Sequence, residues 1–445
     1  MELNLRRNSL YAVGEVVVSG LSLFLLYKKV INALGVEALG VWSLVLATTS
    51  LGRIADIGAA SGLSRFVASA KARRNTAREL IFVETAVLTN AALYLSIAIV
   101  LWAPAYFGLS LVMKGATLAS GRALLPFALA SFVLMGVTGA TTGAIVGQHR
   151  SDQKSILVVV GLVVQLLVAL LFVKGYGLPA LAWAQIAQYT VLFVAGWFMV
   201  VRNHFGSWTL RLPLAWRKDV FRELVGFGVK MQAVSIVGMA YDPLVKFLMS
   251  SMGGLAAVGF LEMAQRLILQ LRQIIVTPTL TLVPVFAHLL ESEPERLEAL
   301  YQKALRISII LGLPLMALVA LASPIISLIW LGRTERLFII FLIVFSIGWL
   351  VNLIAAPAYL LGVGVGYLRW NLYGVCLTAG GICLLGGILG HFLGSFGVAI
   401  ASSGMLALGS GLTMIMNCRA LRIRAIPHSS ELRSAVSETY GLLLR

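Results

Sequence analysis

Charge is what this sequence has least of. Only 12% of its 445 residues are Asp, Glu, Lys or Arg, roughly half the share a soluble chain carries. With 59% hydrophobic residues and a mean hydropathy of +0.93, a water-soluble globule is excluded. The long apolar runs point to membrane-spanning helices and away from a barrel, which is built from short alternating strands. Cysteine is nearly absent. Cys376, Cys383 and Cys418 are too few for a disulfide framework and lack zinc-site spacing, so they read as inert buried thiols and no metal site is expected. Enzyme signatures are missing as well. His149, His204, His288, His391 and His428 are scattered, and no zinc-protease helix, nucleophile elbow, phosphate loop or dinucleotide fingerprint occurs. The glycine run Gly362–Gly366 follows no strand and holds no lysine, and reads as a loop. No cofactor is expected. No cleavage site closes the first apolar run, which is expected to stay as a helix.

What is present is a series of apolar spans. The sequence predicts an all-α integral membrane protein with about twelve crossings, each near the roughly 20 residues needed to cross the hydrocarbon. The spans read as 9–31, 37–60, 80–103, 123–147, 155–174, 178–201, 227–252, 254–288, 305–331, 337–361, 369–390 and 394–418. Pro278 and Pro284 are expected to break the eighth into a surface segment. A motif at Leu34–Trp42, with Gly35, Gly40 and an aromatic, returns at Met252–Phe260, about half the chain later. Such a repeat marks a duplicated transporter architecture. The expected organisation is a six-helix bundle over 1–201, a linker over 202–226, a second six-helix bundle over 227–418 and a basic tail over 419–445. The two pseudo-symmetric bundles are expected to surround a central cavity.

The formal net charge of +17 reads as loop charge that sets orientation, and no nucleic-acid partner is expected. Even-numbered crossings place both termini on one side. Roughly three times as many Lys and Arg fall at the ends that include Arg6, Arg7, Arg150, Arg217 and Arg369 as at the opposite ends, so the termini are expected in the cytoplasm. Residues 61–79 combine Leu63, Phe66, Val67 and Ala70 with interspersed cations, and are expected to lie as an interfacial helix under the leaflet.

The exceptions to the apolar rule are the candidate functional residues. Glu15 stands in the first span, Arg53 and Asp56 in the second, Glu84 at the start of the third, Lys230, Asp242 and Lys246 in the seventh, and Glu262, Arg266 and Arg272 in the eighth. Ions in hydrocarbon cost at least several kcal/mol, so they face protein or a wet cavity and are candidates for function. Arg53 with Asp56, Asp242 with Lys246 and Glu262 with Arg266 have the spacing of same-face pairs. Each pair is either architectural or a substrate contact. Glu15 is either a proton or cation site or the partner of a cation on another helix. Lys230 reads as snorkelling to the surface. Pro243 either kinks its helix beside Asp242 at a transport site or merely bends it for packing.

The pattern Gly35, Gly40-Val41-Trp42-Ser43-Leu44, Asp56-Ile57-Gly58 and Ser64-Arg65-Phe66, together with Val258 to Arg266, resembles the polysaccharide and O-antigen flippases. These belong to the multidrug/oligosaccharidyl-lipid/polysaccharide exporter superfamily. Phe260 stands where the family commonly has tyrosine. The resemblance implies a cell-membrane transporter that moves a lipid-linked oligosaccharide, often on a polyprenyl diphosphate, outward from the cytoplasmic leaflet. A monomer working near glycosyltransferases and a polymerase is expected. Arg53, Lys246, Arg266 and Arg272 are then candidate cations for the phosphate. Glu15, Asp56, Asp242 and Glu262 are candidate cavity acids or coupling groups for H+ or Na+. A cation-coupled exporter of drugs or metabolites from the same superfamily is the alternative. A membrane polymerase or ligase fits less well, because the duplicated halves bring no large extracytoplasmic loop.

Overall fold

The computed structural model describes residues 5–50, 59–73, 75–207, 209–225, 238, 240–280 and 282–427. Every regular element among them is helical. The chain forms two compact units, Met1–Ser251 and Met252–Arg445. Nine helices among the described residues are long and apolar enough to cross a membrane. That number is below twelve partly because glycine kinks join neighbouring spans into one helix, at Gly254 and at Gly394.

In the first unit α1 (Leu5–Leu34) ends at Gly35, with φ +85°. The left-handed conformation there favours glycine, which has no Cβ to clash. Then come α2 (Val36–Ser50), α3 (Ala59–Ala72), α4 (Thr76–Val112), α5 (Gly115–Gly147), α6 (Ser151–Tyr176) and α7 (Pro179–Phe205). The Asn75 side chain caps α4 by accepting from the Arg78 amide at 3.0 Å, which satisfies one of the amides a helix start leaves open. The amphipathic segment after residue 61 is helical as expected, but it does not offer its apolar face to lipid. Leu63, Val67 and Ala70 of α3 are buried in a core with Phe82, Val83, Ala140, Ile145 and Val200. Protein apolar surface, not the bilayer, satisfies the face.

The link after α7 is not a free tether. Its residues fold back as a strap over the start of α4. Glu84, 1% exposed, accepts from Arg211 Nε at 2.7 Å and from the Ala215 amide at 2.8 Å. The Arg217 amide donates to Thr85, Trp216 Nε1 donates to Thr89, and Trp197 Nε1 of α7 donates to the Arg211 carbonyl. A short helix, α8 (218–225), then sinks Val220 and Leu224 into the same core as α3. This is why Glu84 can stand in an apolar helix: a buried carboxylate is tolerable when its oxygens are satisfied. The strap and the start of α9 (Tyr241–Thr279) both belong to the first unit, so the boundary lies at Ser251, later than the linker read from the sequence. Ser250 of α9 donates to the last carbonyl of α4, at Val112, which ties the segment there.

Asp242 and Pro243 lie in the first turn of α9, where a missing amide hydrogen removes no helical bond. The kink that the sequence left open at Pro243 is instead at Gly254 (φ +76°, ψ 179°). In the second unit α9 is followed by α10 (Leu282–Ser292), α11 (Pro294–Leu321), α12 (Ser323–Leu331), α13 (Arg336–Gly364) and α14 (Leu368–Gly381). A π turn at Ile382–Gly386 leads into α15 (Gly387–Ala420). The chain does break after Pro278, but α10 is no surface segment: Phe286 is fully buried with Tyr301, Leu361 and Cys418. Past α15 the strap device recurs. Arg424 Nε reaches Glu298 of α11 at 2.7 Å, Gln302 donates to the Arg424 carbonyl, and Tyr301 Oη donates to the Ala425 carbonyl.

Backbone conformation records the duplication more sharply than the sequence motif does. Left-handed residues fall in pairs: Gly35 and Gly254, Gly115 and Gly332, His149 and Gly366, Gly177 and Gly394, Gly206 and Arg422, each separated by 216 to 219 positions. Gly177 and Gly394 even share a ψ of −141°. The turns of one half are thus repeated in the other, whatever the side chains between them.

In the second unit α14 and α15 meet through glycines. A Cβ on Gly374 would lie 2.5 Å from the Gly409 carbonyl, and one on Gly409 would lie 2.4 Å from the Gly374 carbonyl. Small residues of this kind let helix backbones approach in lipid, where packing rather than water drives association. Gly409→Ala is expected to destabilise by about 1–3 kcal/mol, the usual range for overpacking. Thermal unfolding in detergent, followed by tryptophan fluorescence, checks this; an unchanged midpoint refutes it.

Candidate functional site

The structure assigns partners to most of the intramembrane charges. Glu15 of α1 binds Lys154 Nζ of α6 at 2.6 Å, so of the two roles left open it has at least that of partner to a cation on another helix. Lys246 meets Asp242 at 2.7 Å one turn earlier on α9, with the ammonium 1% exposed and the carboxylate 41% exposed. Arg266 meets Glu262 at 2.6 Å, the carboxylate buried and the guanidinium open. Arg53, Asp56 and Lys230 lie outside the described residues. Both helical pairs have the (i, i+4) spacing at which opposite charges meet on one face.

The Glu15–Lys154 bridge joins two helices, so it can be tested by exchange. It is partly exposed, which limits its strength to about 1 kcal/mol. Glu15→Lys and Lys154→Glu are each expected to lower the thermal midpoint. The double exchange should restore most of the loss, and a double variant no better than the worse single one would refute the pairing.

Arg272 differs from the other cations. Its guanidinium lies over the Trp349 ring of α13, 5.5 Å from the centroid, within cation–π range. Its Nε is buried and makes no hydrogen bond among the described residues. Other buried polar atoms of the second unit share that state: Gln265 Nε2, Ser346 Oγ, Asn352 Oδ1 and Ser402 Oγ. Their placement follows from helix periodicity. Gln265 and Arg272, seven apart, share a face of α9; Ser346, Trp349 and Asn352, spaced by three, share a face of α13. Asn352 Nδ2 reaches Ser410 of α15 at 2.8 Å. A buried polar group without a partner costs several kcal/mol in apolar surroundings, which makes these donors and acceptors candidates for contact with a polar guest. Trp349, Asn352, Ser346 and Gln265 were not singled out from the sequence. The available signal was polar residues at helical spacing within an apolar run, which inspection of charges alone passes over.

No cluster of three or more His, Cys, Asp or Glu suited to a metal occurs among the described residues.

Comparison with known proteins gives concordant results. A family model described as polysaccharide biosynthesis protein matches residues 33–334. A search of curated proteins finds no match. Among solved structures, an inward-facing multidrug resistance MATE family transporter of the MOP superfamily has a TM-score of 0.77 at 17% identity, covering 96% of this chain and 99% of its own. The lipid II flippase MurJ, in an inward closed conformation, has a TM-score of 0.69 at 12% identity, covering 92% and 87%. A MOP superfamily transporter from Pyrococcus furiosus has a TM-score of 0.67 at 16% identity, covering 94% and 95%. At these identities the likeness is one of fold, that of MOP-superfamily transporters.

Proposed function

We propose, given that this chain belongs to the polysaccharide biosynthesis protein family, that it is a flippase for a lipid-linked oligosaccharide carried on a polyprenyl diphosphate. It works by alternating access in the cytoplasmic membrane with both termini inside, as a monomer and without a cofactor. Transport goes from the cytoplasmic leaflet to the outer one, supplying cell-surface polysaccharide assembly.

The observation that carries this reading is Arg272 over Trp349, in a unit that also holds buried polar atoms with no partner among the described residues. A saccharide headgroup brings hydroxyls that each cost several kcal/mol to bury alone. A cation and a set of amides and hydroxyls lower that cost, while the lipid tail stays in the bilayer. Guanidinium suits a phosphate, since its planar donors bind two oxygens together. The repeat adds a second candidate. In the register of Gly35 and Gly254, Arg53 is the counterpart of Arg272, so each half supplies an arginine at the same place in its sequence. Outward movement of an anion is also downhill in an inside-negative potential, by about 2.3 kcal/mol per charge per 100 mV. A fold shared with a protein named as a lipid II flippase is compatible with such a cargo.

Deleting the gene tests the reading. A polyprenyl-diphosphate-linked oligosaccharide should build up on the inner leaflet and clear when the wild-type gene is restored. No build-up, together with raised sensitivity to cationic dyes, would indicate a drug exporter instead.

A further inference from the structure

The strap after α7 turns two faces in opposite directions. Its polar groups dock inward on Glu84, Thr85 and Thr89. Its large apolar side chains point the other way: Leu210, Leu212 and Leu214 are 88%, 66% and 73% exposed, and Trp216 is 48% exposed. Three leucines in alternate positions, held outward by hydrogen bonds on the opposite side, form an apolar row too concentrated for a solvated loop.

The level of this row along the bundle identifies what covers it. Glu84 is the last charged residue of α4; residues 85–112 carry none. Glu84, Thr85 and Thr89 therefore mark the border at which the helix passes from headgroups into hydrocarbon. The strap is fastened across that border. Trp216, with its ring nitrogen bonded to Thr89 and its body half exposed, has the placement favoured for tryptophan at a membrane interface. Directly after the row, Lys218 and Arg222 on α8 are exposed, at the position where they meet acidic headgroups.

We infer that residues 209–217 form an interfacial anchor. Leu210, Leu212 and Leu214 sink into the headgroup–acyl boundary of the leaflet beside the start of α4, and Lys218 and Arg222 engage its anionic lipids. The strap is thus held from both sides, by Glu84 and by lipid. The segment that joins the repeats then travels with the first unit instead of swinging in water.

Spin-label accessibility tests this on the full chain in nanodiscs of phosphatidylethanolamine and phosphatidylglycerol. Cys376→Ser and Cys383→Ser remove the exposed thiols, while Cys418 is buried. Single labels are placed through Leu212→Cys and Leu214→Cys, with Ser207→Cys as the aqueous reference. Leu210→Cys, at the most exposed position, replaces either variant that does not fold. Collision with oxygen relative to a water-soluble nickel chelate is expected to be several-fold higher at the leucine positions than at 207. A nickel-favoured ratio equal to that at 207 would overturn the anchor by showing a solvated loop. Exclusion of both reagents would overturn it too, by showing that protein covers the row.

Discussion

Arg272→Ala is expected to reduce transport of the lipid-linked saccharide by roughly 10- to 100-fold at an unchanged level in the membrane, since a hydrogen bond to a charged group contributes about 1.5–3 kcal/mol. Arg272→Lys should keep part of the activity, because the charge remains and the two-pronged geometry is lost. Stability separates a binding role from a structural one. Arg272 rests on Trp349, and its Nε makes no hydrogen bond among the described residues. Removing a half-buried cation of that kind takes away a desolvation cost along with a cation–π contact, so the thermal midpoint should hold or rise. The measurement is the inner-leaflet intermediate in a deletion strain complemented by each variant, with membrane levels matched. Normal clearance with Arg272→Ala would remove this residue from the substrate path.

Arg211→Ala is expected to destabilise the protein by about 2–3 kcal/mol, less than breaking a fully buried ion pair because the arginine is itself partly exposed. Glu84 is the reason. It is 1% exposed and, among the described residues, would keep only the Ala215 amide as a hydrogen-bond donor. Trypsin should then cut faster at Arg217 and Lys218 as the strap loosens. The sign of a second change discriminates further. Adding Glu84→Gln to Arg211→Ala removes the uncompensated charge and should recover stability, although it takes away one more native group. A double variant less stable than Arg211→Ala alone would show that burial of the carboxylate is not what the strap relieves.

Much of this is legible in the sequence, and the reason is the bilayer. Hydrocarbon requires backbone amides to be satisfied within the protein, and a long apolar run does this as a helix, so apolar length goes far toward placing spans. The repeat around Gly35 and Gly254 is visible as a motif because left-handed turns favour glycine. Its partners at His149 and Arg422 are not, since there the conformation is kept without glycine. Pairs within one helix, Asp242 with Lys246 and Glu262 with Arg266, follow from spacing. Pairs between helices do not. Lys154 for Glu15 and Arg211 for Glu84 depend on which helices pack together and on a strap that folds back. Residues 61–79 misled for a related reason. An amphipathic pattern states that one face seeks apolar surface, and says nothing about whether lipid or protein provides it; α3 found protein. The polar group around Arg272 was half visible. The arginine stood out by its charge, whereas Ser346, Trp349 and Asn352 gain meaning only when α13 is seen to bring Trp349 under it.

The most direct test of lipid-linked saccharide transport is reconstitution. Purified protein is placed in liposomes with a fluorescent polyprenyl-diphosphate oligosaccharide in both leaflets, and an impermeant quencher is added outside. Without protein about half of the signal should survive, because headgroups do not cross a bilayer unaided. With wild-type protein the protected half should decay, and with Arg272→Ala it should decay far more slowly. A protected fraction that stays at the protein-free level, in vesicles that do transport a cationic dye, would contradict the flippase.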